Sequence, residues 1–88
     1  MNHKHRAVLH SLFAHPISTN IDPKLLRATL EEAGAQLAHN GKGRVMVTLN
    51  GASHGFHDNH HSLSKEEVVE MRKFLTDAGI DPARDYPL

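Results

Sequence analysis

The sequence predicts an α+β domain: a small three-stranded antiparallel sheet with helices packed on one face. Three observations lead there. The segments NIDPKLLRATLEEAGA and LSKEEVVEMRKFLTDAGI each combine a helix-start signal, apolar residues at helical spacing and a glycine after the last turn. Between them, RVMVTL alternates apolar and polar residues as a half-buried strand does. Asn50-Gly51 follows directly, and this dipeptide suits the two positive φ angles of a type I′ hairpin turn.

Taken in chain order, RAVLHSLFAHPIS places Val8, Leu9, Leu12 and Phe13 at helical spacing, and Pro16 cannot continue a helix. An N-terminal helix over about residues 5–15 is expected. In the next segment Asp22 can cap a helix and Pro23 suits its first position, while Leu25, Leu26, Thr29, Leu30 and Ala33 share one face. AQLAH is a candidate first strand, and NGKG at 40–43 is a turn. RVMVTL is the second strand, with Val45, Val47 and Leu49 on one side, and ASHGFH returns antiparallel as the third. Ser64 with Glu67 forms a capping box before a helix whose inner face holds Val68, Met71, Leu75 and Ala78. LSKEEVVEMRKFLTDAGIDP thus echoes the organisation of NIDPKLLRATLEEAGA. The tail ARDYPL reads as exposed or loosely docked. A single domain over 1–88 results, with its α-β-β-β-α core over about residues 22–80.

Composition narrows the function. The chain has 88 residues, ten basic against ten acidic, and no cysteine. Disulfides and thiolate zinc sites are excluded, and no net charge draws the chain as a whole to phosphate or to anionic lipid. No apolar run approaches the ~20 residues of a membrane span, so a cytoplasmic protein without membrane contact is expected.

Nine histidines are the unusual feature, four of them at 54, 57, 60 and 61. A two-residue turn at Asn50-Gly51 fixes the pairing: Val47 faces His54, Val45 faces Phe56 and Arg44 faces His57. His54 then falls on the helix side at the edge of the core, and His57 shares the open face with Arg44. A guanidinium beside an imidazole favours its neutral form, which a general base needs, and can itself hold a phosphate. RNA cleavage by 2′-hydroxyl attack uses such a pair. Two ordinary solvated sheet residues would look the same in sequence. A metal site drawn from His57, Asp58, His60 and His61 has suitable donors but nothing that makes them converge.

LFAHPISTNID, EEAGA, GKGRVMVTLNG, the histidine at 60 after Phe56-His57, and MRKFLTDAGI together resemble the HicA-type toxins. The resemblance spans about His5 to Pro82. It implies a fold like the double-stranded-RNA-binding domain and an mRNA interferase that needs neither metal nor other cofactor and is held inactive by a HicB-like antitoxin. RNA rather than DNA is the implied nucleic acid. HicA toxins carry their catalytic histidine in a Gly-Ser-His motif entering the second strand, where this chain has Lys42-Gly43-Arg44-Val45. The expected site is therefore His57 and His60 for catalysis, with Arg44, Lys42 and Lys65 on the RNA and no metal ligand. An active nuclease, an RNA binder without cleavage, a protein-interaction module and a histidine-rich metal binder stay open at this stage.

Overall fold

In the computed structural model, which describes residues 1–40, 43–57 and 62–88, seven elements follow one another. They are α1 (His3–Leu12), α2 (Pro23–Glu32), β1 (Gln36–His39), β2 (Arg44–Leu49), β3 (Ala52–His57), α3 (Lys65–Asp77) and a short α4 (Pro82–Asp85). The sheet is antiparallel in the order β1-β2-β3. The expected α+β fold, with a three-stranded antiparallel sheet and helices packed against it, is therefore the one observed. None of the described helices is long and apolar enough to cross a membrane.

Helices α2 and α3 start and stop by the same devices. The Asp22 carboxylate accepts from Lys24 N at 2.9 Å, and Ser64 and Glu67 form the reciprocal capping box. Each cap is preceded by a buried apolar residue, Ile21 and Leu63, and the residue five further on, Leu26 and Val68, is fully buried in the same core. Leu63 N donates to Ile21 O at 3.2 Å, so the two helix starts are joined. At the far ends Gly34 and Gly79 take positive φ. Ala35 N then reaches Leu30 O and Ile80 N reaches Leu75 O, satisfying carbonyls that the helix leaves open. The echo between the two segments is thus a repeated set of helix boundaries.

The first helix differs from its expected span. It starts at His3 because the Asn2 side chain accepts from His5 N at 2.8 Å, and it ends at Leu12, well before Pro16. Its last carbonyls are met from outside: Arg72 of α3 donates from Nε to Leu12 O at 2.8 Å and from Nη2 to Ala14 O at 3.2 Å. Val8, Leu9 and Leu12 enter the core beside Leu26, Leu30, Val45, Val47, Phe56, Met71 and Leu75. The tail ARDYPL is exposed except at half-buried Tyr86, in line with expectation. Asp81 caps α4, Pro82 is buried, and the His10 ring bonds Tyr86 O at 2.8 Å, which docks the tail on α1.

Helix α1 is tied to α2 by a carboxylate. Glu32 accepts from Asn2 N at 3.2 Å and meets His5 Nδ1 at 2.6 Å. The His5 bond is the main reason that the Glu32 carboxyl lies below the usual carboxylate range. On α4, Arg84 first and then the Asp81 backbone hold Asp85 down to about 2. Both folded-state values are depressed, so their contributions are present above the ordinary carboxylate pKa and fade as pH falls toward the folded values. Urea midpoints are expected to drop between about pH 5 and about pH 2, because ordinary carboxylates titrate at about 4. Glu32→Gln should lower the midpoint at neutral pH and shrink that acid-side drop, more so at low salt.

Candidate nucleic-acid interface

The hairpin turn decides what lies on the free face of the sheet. Asn50 and Gly51 have φ of 50° and 85°, the two positive angles of the type I′ turn, and Asn50 Nδ2 donates to Ala78 O at the end of α3 at 2.9 Å. Strand pairing then runs Leu49↔Ala52, Val47↔His54, Val45↔Phe56 and Arg44↔His57, as read from the sequence. Val45, Val47, Leu49 and Phe56 are buried under the helices. Arg44, Met46 and Thr48 of β2 alternate with them and are exposed, as are Ser53 and His57 of β3.

Arg44 and His57 therefore sit opposite each other on the open face. The Arg44 side chain leans inward from that pair: its Nη2 is 3.3 Å from where a Cβ would stand on Gly55, and Met46 Cε is 3.6 Å from the same point. Gly55 thus leaves the guanidinium a shelf beside the exposed thioether of Met46. Among the described residues the guanidinium has no carboxylate partner. Thr48 and Ser53, a cross-strand pair on the same face, meet through their hydroxyls at 3.3 Å. Phe56, the only aromatic side chain of the three strands, is buried. The face can offer a phosphate a forked cation, hydroxyls and an imidazole, and among the described residues of its strands it presents no Phe, Tyr or Trp on which a base could stack.

Other expected site residues fall elsewhere. Lys65 is the first residue of α3 and belongs to the helix layer, across the sheet from Arg44 and His57; it is exposed beside Glu66, Val69 and Glu70. Lys42 and His60, with Asp58 and His61 of the suggested metal set, lie outside the described residues. Among the described residues no three His, Asp or Glu side chains gather as a metal ion would require. His54 sits at the core edge as its register predicts, stacked on Phe74 with ring centroids 5.9 Å apart and with Nε2 3.9 Å from Glu70. Sequence reading missed Glu70 and Phe74 as its neighbours, and also missed Gly55 as the seat of Arg44. The signal for Gly55 was available, because a glycine within a strand commonly marks a close approach.

Compared with family models, with curated proteins and with solved structures, the chain matches none.

Proposed function

We propose that this chain is a HicA-like RNA-binding protein of toxin–antitoxin type that meets the RNA backbone with the open face of its sheet. The supporting observation is the pairing of Arg44 with His57 on a helix-free face, with the guanidinium lying over Gly55 and without a carboxylate partner among the described residues. In this reading Arg44 holds the non-bridging oxygens of a phosphate in its fork. His57, as the neutral imidazole, takes the proton of the adjacent 2′-hydroxyl as that oxygen attacks phosphorus. The bond from phosphorus to the 5′ oxygen breaks, and a second group must protonate the departing oxygen; His60 is the candidate from sequence. No step needs a metal. A HicB-like antitoxin and a cytoplasmic location belong to the same reading, and co-purification from the native cell tests both.

Contact limited to phosphates gives weak, salt-sensitive binding, in keeping with a chain whose ten basic residues are balanced by ten acidic ones. Fluorescence anisotropy with a labelled single-stranded RNA at low salt is expected to show binding. Arg44→Ala should weaken it and flatten the dependence of log K on log salt by about 0.7. His57→Ala should abolish cleavage on a gel while leaving binding measurable. Absence of RNA binding at low salt would refute the proposal.

A second reading has one observation in its favour. Met46 is 48% exposed at the centre of the open face, between Ala38 on β1 and Gly55 on β3, which is an apolar spot suited to a protein surface. Binding to a protein partner that Met46→Lys disrupts, without any RNA retention, would favour it.

A further inference from the structure

A groove of about 390 Å³ runs between the outer edge of β3 and helix α3, away from the open face. Ala52, Ser53 and His54 form one wall; Glu70, Lys73, Phe74 and Asp77 form the other. Two features of it point to the same kind of occupant.

The first is the backbone of β3. In a two-residue hairpin the pair flanking the turn, Leu49 and Ala52, exchanges both hydrogen bonds, and pairs alternate from there. Ala52, His54 and Phe56 therefore direct their N–H and C=O toward β2, while Ser53, Gly55 and His57 direct theirs outward. β3 is the last strand of the sheet, and no strand among the described residues pairs with that outer row. Another extended backbone is the ligand that matches groups at this spacing.

The second is the chemistry beside that row. The stacked rings of His54 and Phe74 form an apolar floor, and two carboxylates, Glu70 and Asp77, rim it against the single ammonium of Lys73. Among the described residues Lys73 forms no ion pair with either. An added strand sends alternate side chains toward the helix. A lysine or arginine there would lay its aliphatic stem along the rings and bring its charge to Glu70 and Asp77.

We infer that β3 binds an extended peptide segment of a partner protein by strand addition, with a basic side chain of that segment held in the groove between β3 and α3. A second copy of the chain is the poorer occupant. Pairing two β3 edges antiparallel would set the Glu70 and Asp77 rims of both copies against each other.

The inference stands apart from RNA binding, because it uses the edge of β3 and not the Arg44 face. It is tested with the intact protein and a capped, β-branched decapeptide bearing one central lysine, followed by amide chemical shifts. Saturable shifts are expected at Ser53, Gly55 and His57, and at Glu70 to Asp77. Replacing the peptide's lysine with glutamate should weaken binding roughly tenfold. The Glu70→Gln, Asp77→Asn double variant should lose most of that preference while still binding the lysine peptide. N-methylation of alternate peptide amides should abolish binding, as should Ser53→Pro; if Ser53→Pro does not fold, the methylated peptide makes the same test from the ligand side. No shift at millimolar peptide, shifts confined to Arg44 and Met46, or concentration-dependent self-association through β3 would each overturn the inference.

Discussion

Leu9→Ala is expected to lower the unfolding free energy by about 2–5 kcal/mol, the range for deleting a buried leucine whose site cannot fully collapse. Leu9 is fully buried, and Leu12, one turn on, is equally so. Both lie in the same core cluster as Leu26 and Leu30 of α2 and Met71 and Leu75 of α3. A chain of this length has roughly 4–13 kcal/mol in total, so this loss is a large fraction of it. Urea denaturation at neutral pH is the measurement, with the midpoint falling and the slope unchanged. The sequence reading placed the N-terminal helix in one domain with an α-β-β-β-α core of about residues 22–80. If α1 only lay on the surface of that core, Leu9→Ala would cost under ~1 kcal/mol, as surface changes do.

The second large effect is expected at Arg72. Arg72→Met keeps much of the aliphatic stem and removes both donors to Leu12 O and Ala14 O. Two partly buried carbonyls at the end of α1 then lose charged partners, at a cost of about 1.5–3 kcal/mol. Arg72→Lys should recover little, since an ammonium cannot span two acceptors as the planar fork does. Hydrogen exchange separates this from a general loss of packing: protection in the last turn of α1 should fall further than protection in β2. Equal loss in both would mean that Arg72 serves only as a packing stem.

These two residues also mark where sequence reading succeeds and where it stops. Helices α2 and α3 and the β2–β3 hairpin were legible because their determinants are local. Asp22-Pro23, Ser64 with Glu67, Gly34, Gly79 and Asn50-Gly51 each act within a few residues of themselves. Register followed from the turn, and with it the sides taken by His54, His57 and Arg44. The end of α1 was misjudged because Pro16 was the only visible stop, whereas its actual partner, Arg72, is 60 residues from Leu12. An arginine on a helix reads by default as solvated. Docking of the tail rests on His10 and Tyr86, 76 residues apart, and no periodicity announces such a contact. For the candidate site, strand pairing placed Arg44 and His57 opposite each other, as the turn predicted. The lean of Arg44 over Gly55 depended on side-chain torsions that pattern does not encode.

The carboxamide of Asn50 has a consequence for how this molecule can come apart. It belongs to the hairpin tip, yet it occupies the carbonyl of Ala78, where α3 has just finished. Fraying of the helix end and opening of the tip are therefore one event, since each leaves the other with an unmet polar group. Sliding β3 by one residue would disturb that clasp as well as turning Phe56 outward. The seam between tip and helix thus acts as a latch on strand alignment, and a longer loop spliced in at 50–51 would release it even if every strand residue were kept.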